Sequence, residues 1–205
     1  MGIISRQIGW SQESNLLWQI LKQLNKLTSI MFGLKPKYKV YTALLTQSGG
    51  DNPVNLTSGA VTKGVTYVID GGSDGDFSNV GAPSNDDSTW FVAINDEVPN
   101  SYGTGTTILI YNEGAPTVTV LENTIGNIWF TYNAVGQYIC QSNGLFTYDK
   151  STIVIGNAHW ETGTGYVASG FDTESDAYIK TKDFNNDFVS SDYLIRTPIE
   201  IRVYN

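Results

Sequence analysis

The hydrophobic period changes once along this chain, near residue 37, and that change divides what the chain can become. Upstream, apolar side chains recur at Leu17, Ile20, Leu24, Leu27 and Met31, with spacings of three and four. That is a heptad seam, the pattern of a helix that buries one stripe. Downstream, apolar and polar residues alternate in short runs, the period of strands with one buried face. Gly, Asn, Asp or Pro stands in nearly every gap between those runs, where turns require them.

The upstream segment predicts one amphipathic helix over residues 12–32, which hold no Gly or Pro. Ser11 is placed to cap it, and Glu13 lies in the positively charged first turn. Gly33 and Pro36 follow at the positions that end helices. Leu17, Leu24 and Met31 take one seam position and Ile20 and Leu27 the other, a mix that leans toward three or more strands. Fewer than three heptads are present, so the helix needs a symmetric partner, a receptor surface or the body to cover it. Residues 1–36 therefore read as an anchoring and oligomerisation segment, and residues 37–205 as a separate body.

Twelve runs in the body read as strands: Tyr38–Gln47, Val65–Ile69, Trp90–Ile94, Thr106–Tyr111, Pro116–Leu121, Ile128–Tyr132, Gly136–Cys140, Leu145–Tyr148, Thr152–Ile155, Ala177–Thr181, Tyr193–Arg196 and Ile199–Val203. In the last, Ile199, Ile201 and Val203 alternate with Glu200 and Arg202, one face in and one face out. No helical pattern intervenes, which argues against a doubly wound sheet. The expected fold is mainly β: an N-terminal coiled-coil helix, then an antiparallel, jelly-roll-like β-sandwich.

Charge divides at the same place. Residues 1–39 carry a net charge of +5 and residues 40–205 one of −13. An acidic body repels phosphate backbones, so nucleic acid is not an expected partner. No apolar run reaches the roughly 18 residues that span a bilayer, and only Lys22 and Lys26 lie within the helix proper, so membrane insertion is not expected either. No apolar stretch of a secretory leader follows Met1.

Sites of chemistry are few. One Cys and one His exclude an intramolecular disulfide and a zinc cluster. Asp70, Asp74 and Asp76, spaced by glycines, form the best candidate for a hard cation such as calcium, although the spacing is not an EF-hand's. Asp86-Asp87 and Asp96-Glu97 are adjacent pairs whose side chains diverge, unlike the facing carboxylates of glycoside hydrolysis. Cys140 lies in an alternating run and reads as a small core residue. The aromatics Tyr102, Trp160, Tyr166 and Phe171 fall in Gly-rich stretches, where rigid rings can stack on sugars or anchor a partner. No cofactor and no enzymatic activity are expected.

Four segments complete the reading. They are Gly9–Thr28 (GWSQESNLLWQILKQLNKLT), Tyr38–Gly49 (YKVYTALLTQSG), Val120–Tyr132 (VLENTIGNIWFTY) and Thr197–Asn205 (TPIEIRVYN). Together they resemble virion structural proteins of tailed bacteriophages, in particular head-fibre-type proteins of crAss-like and related phages. The resemblance spans both ends and the middle but not residues 51–110. It implies a non-enzymatic virion component assembled in the host cytoplasm: an N-terminal anchor on the capsid or another virion protein, an outward β body and a homotrimer. The alternative it leaves is a fibre domain that contacts a receptor or glycan on the host surface.

Overall fold

The computed structural model describes residues 18–24, 26, 37–71, 74–104, 107–156, 165–183 and 194–205. The chain divides into two units, Met1–Lys37 and Tyr38–Asn205. In the first, residues 18–24 and 26 are helical and exposed. Ile20 and Leu24 of the expected seam lie there, whereas Leu17, Leu27 and Met31 lie outside the described residues. No helix among the described residues is long and apolar enough to cross a membrane.

The second unit is mainly β, as the alternation predicts. Its strands are β1 (Tyr38–Thr46), β2 (Pro53–Leu56), β3 (Thr66–Asp70), β4 (Trp90–Val92), β5 (Ile108–Asn112), β6 (Thr117–Asn123), β7 (Ile128–Ala134), β8 (Gln137–Ser142), β9 (Ser151–Ile155), β10 (Gly165–Phe171), β11 (Asp176–Asp183) and β12 (Thr197–Tyr204). They form three four-stranded antiparallel sheets, ordered β6-β1-β12-β9, β10-β11-β8-β7 and β2-β5-β3-β4. The body is thus one sheet larger than a two-layer sandwich.

The first two sheets share one core. Tyr41, Ala43 and Leu45 of β1 point inward, paired in register with the inward side of β12, Tyr41 opposite Ile201 and Ala43 opposite Ile199. From the facing sheet come Ile128 and Phe130 of β7, Tyr138 and Cys140 of β8, and Ala177 and Ile179 of β11. The Tyr41 and Phe130 rings meet across the layer at 6.2 Å. Period-2 alternation at this many positions fixes register, because a one-residue slip would turn every apolar side chain outward.

The third sheet is an insertion between β1 and β6, spanning residues from Gln47 to Pro116. It closes a second core of Val61, Tyr67, Ile69, Phe77, Val80, Phe91, Ala93 and Leu109. The chain enters and leaves through a narrow neck. Asn112 Nδ2 donates to Asp51 Oδ1 at 2.8 Å, Asn52 Nδ2 donates to Glu113 Oε2 at 2.6 Å, and the Glu113 N–H donates to the Asn52 carbonyl at 3.1 Å. A Cβ on Gly114 would lie 2.7 Å from the Gly50 carbonyl oxygen, so the neck strands approach closer than a side chain permits.

The insertion is joined to the sandwich by specific contacts. Trp90 of β4 stacks on Trp129 of β7, centroids 6.3 Å apart and planes within 10°. The Phe130 N–H donates to the buried Thr66 Oγ1 at 3.3 Å, Asn127 Nδ2 donates to the Trp90 carbonyl at 2.7 Å, and the Val118 N–H donates to the Gly64 carbonyl at 2.8 Å. This cover explains why Ile128, Trp129 and Phe130 are buried in succession, against the alternation of a one-faced strand.

Two expected strands are not strands. Leu145–Thr147 is irregular and leads into a 3-10 turn at Tyr148–Lys150, with Phe146 buried in the sandwich core. In Tyr193–Arg196, Tyr193 lies outside the described residues, Leu194 is buried in the same core, and Arg196 takes a left-handed φ of 48°. Each run buries one apolar side chain in the sandwich core from backbone outside the strands, which shows the same apolar signal as a short strand. The structure adds β2 and β10, which begin at Pro53 and Gly165, residues that weaken a strand signal.

Candidate functional site

The joint between insertion and sandwich leaves a groove of about 510 Å³, within the size range of ligand and side-chain pockets. Its walls are Gly81, Pro83 and Val92–Ile94 on one side and Val118–Val120 on the other. Tyr41 and Ile128 belong to its lining, with Lys63 at the edge. Ile94 is 60% exposed and Val120 is 45% exposed.

The shape of β6 produces this opening. Thr42 pairs with Glu122 but Ala43 pairs with Val120, so Leu121 is an extra residue in the ladder, a bulge. The bulge interrupts alternation and leaves β6 exposed from Thr119 to Asn123, including Leu121 at 62%. The adjacent pair Val120-Leu121 was the sequence signal for this break in period, although it does not show what the break faces.

Polar groups beside the groove serve the fold. Asn123 Oδ1 accepts from the Ile125 and Gly126 N–H groups, both at 3.1 Å, and its Nδ2 donates to the Gly126 carbonyl at 2.7 Å. Asp96 Oδ1 accepts from the Lys63 N–H at 2.7 Å. No pair of carboxylates faces across the groove. Its lining is largely apolar, so it can bury apolar surface.

The expected site residues are dispersed. Tyr102 is part of the insertion: its ring meets Phe77 edge-on at 5.7 Å and its hydroxyl donates to the Gly59 carbonyl at 2.9 Å. Desolvation raises its pKa to about 12. Phe171 lies in β10 rather than in a loop, its ring 5.1 Å from that of Phe146 at the edge of the sandwich core. The backbone of Tyr166 also lies in β10, and Trp160 falls outside the described residues. The two described side chains, Tyr102 and Phe171, thus pack against different cores.

The acidic loop is built from hydrogen bonds. Asp74 Oδ2 accepts from the Thr104 N–H at 2.7 Å and the Thr104 hydroxyl at 2.6 Å, while Oδ1 accepts from the Thr107 hydroxyl at 2.6 Å. Led by the Thr104 hydroxyl, these donors lower its pKa to about 2. Asp76 Oδ1 accepts from the Ser78 hydroxyl at 2.6 Å and the Ser78 N–H at 3.1 Å, and Oδ2 accepts from Asn100 at 3.0 Å. These bonds, led by the Ser78 hydroxyl, hold its pKa down. Asp70 ends β3, and no shared ligand set forms with the other two. Among the described residues, no group of three or more His, Cys, Asp or Glu could hold a metal ion. Cys140 is buried, and burial pushes its thiol pKa up, so it packs as a small apolar side chain.

Comparison with known proteins adds no name to this geometry: no protein-family description, curated protein or solved structure matches the chain.

Proposed function

We propose that this chain is a non-enzymatic structural protein of a virion, a phage head fibre or capsid decoration protein. Its N-terminal segment anchors and gathers copies, and its acidic β body projects from that foot. The observation that carries this reading is the helical segment's surface. Trp18, Ile20, Leu21 and Leu24 are each 51–58% exposed, and so much apolar side chain on one short segment marks a contact surface. The heptad seam through Ile20 and Leu24 supports a homotrimer, and the segmental resemblance to head-fibre-type proteins supports the virion setting. A mainly β body of three antiparallel sheets suits the same role.

Light scattering on the full chain tests the reading. The expected result is a trimer that Ile20→Asp reduces to monomers, together with binding of the native chain to virions that lack it. A chain that stays monomeric at high concentration and does not bind such virions would overturn it.

A further inference from the structure

The groove at the joint runs beside β6, an edge strand of the first sheet, and Gly64 shows how backbone fits there. The Val118 N–H donates to the Gly64 carbonyl at 2.8 Å, and the Gly64 N–H donates to the Ala93 carbonyl at 2.8 Å. Gly64 thus bridges the two walls. Val120 stands two residues further along β6, so its N–H and C=O point the same way as those of Val118, away from β1. Among the described residues neither group has a backbone partner on that side. The Val120 side chain lines the groove. The bulge at Leu121 follows and ends regular pairing.

We propose that the groove receives an extended, basic peptide segment of a partner protein, paired with β6 at Val120. An aliphatic residue of the segment stands opposite Val120. Its N–H donates to the Val120 carbonyl, its carbonyl accepts from the Val120 N–H, and its side chain enters the space lined by Val92, Ile94 and Ile128. This is strand addition, in which main-chain bonds hold the guest and a pocket selects its side chain. Val120 offers one pair of bonds before the bulge, so the pocket and the flanking charge carry the selectivity. Glu122 stands two residues past Val120, and Asp96 and Glu97 follow Ile94; all three are exposed. Lys63 is the one cation of the lining. Carboxylates on both rims favour Lys or Arg two residues to either side of the aliphatic residue, positions that share a face of an extended chain. The surface belongs to the body alone and does not depend on how copies assemble.

Synthetic heptapeptides titrated into the full chain and followed by NMR test it. The probe acetyl-Ala-Lys-Thr-Ile-Thr-Lys-Ala-amide places Ile between two lysines on one face. It is expected to bind saturably, to shift the Val92, Ile94 and Ile128 signals and to slow amide exchange at Val120. N-methylation at the Ile removes the donor to Val120 and should weaken binding about tenfold. Exchanging both lysines for glutamates should weaken it in low salt, and added salt should narrow the difference. Ile94→Asp, at an exposed position, should keep the native melting temperature and abolish saturation. Joint Glu97→Lys and Glu122→Lys should remove the preference for the lysine peptide. Absence of saturable binding overturns the proposal, as it would if the chain's own residues already filled the groove. Equal affinity of the N-methylated peptide, equal affinity of the glutamate peptide in low salt, or unchanged exchange at Val120 overturns it as well. These comparisons use the native chain, so they hold even if a variant folds poorly.

Discussion

The two cores of the body are held by different means. The sandwich core is built from alternating strand residues contributed by distant parts of the chain, with β1 and β12 side by side though more than 150 residues apart. The insertion core is ringed by polar side chains that tie loops together, such as Asp74 to Thr104 and Thr107, Asp76 to Ser78 and Asn100, and Asn85 Oδ1 to the Phe77 N–H. Its interior is rich in rings: Tyr67 stacks on Phe91 at 5.9 Å and meets Tyr111 edge-on at 5.3 Å. A short β3 and β4 cannot hold a sheet by backbone pairing alone. Aromatic mass and side-chain staples take over where strand length runs out.

The largest test of this contrast is Phe130→Ala. Phe130 is fully buried between the sandwich layers, and its truncation should cost about 3–5 kcal/mol and lower the melting temperature by about 6–20 °C. Calorimetry reads the shift. Phe77→Ala removes a ring of similar size from the second core alone. Hydrogen exchange should then quicken across β3, β4 and β5 while β1 and β12 stay protected; uniform loss would show that the two cores are one cooperative unit.

Thr66→Val sharpens the joint between them. It keeps the shape but leaves the buried Phe130 N–H without its acceptor, a cost of about 1–3 kcal/mol, and Thr66→Ser should recover most of it. Chemical denaturation reads the difference. The smallest effect belongs to Asp74. Its folded pKa of about 2 lies below the 3.8 of a free carboxylate, so its contribution is complete above about pH 4 and is lost as pH falls toward 2. Exchange at Thr104 and Thr107 followed through that window should rise in the native chain, and Asp74→Asn should flatten the rise.

The contrast also sets what the sequence reveals. Strands β1 and β12 were legible because burial on one face writes alternation into Tyr41-Thr-Ala-Leu-Leu45 and Ile199–Val203. Phe146 and Leu194 misled for the same reason, since an apolar loop residue can be buried like a strand residue. The insertion was legible only as turn-rich sequence interrupted by short apolar runs. Nothing local announces that Asp74 will bond to residues 30 and 33 positions away; those Asp residues read as cation ligands because clustered carboxylates look alike before their donors are known. The aromatic set was read as loop residues for a related reason. Glycine around Tyr102 and Phe171 signals a loop or a close approach, and here both rings pack inward. The groove was the least legible element, because its two walls come from separate stretches that only the joint brings together.

The neck has a consequence for how such a chain can vary. Thr46 and Thr117 lie directly opposite each other across β1 and β6, so the hairpin needs only a tight turn to close where the insertion now departs. The whole third sheet is thus a cassette, replaceable without rerouting the strands that carry it. The constraint falls on Trp129. Any cassette set in its place must bring a flat ring to the position of Trp90, or the sandwich will expose an indole that it now keeps 5% accessible.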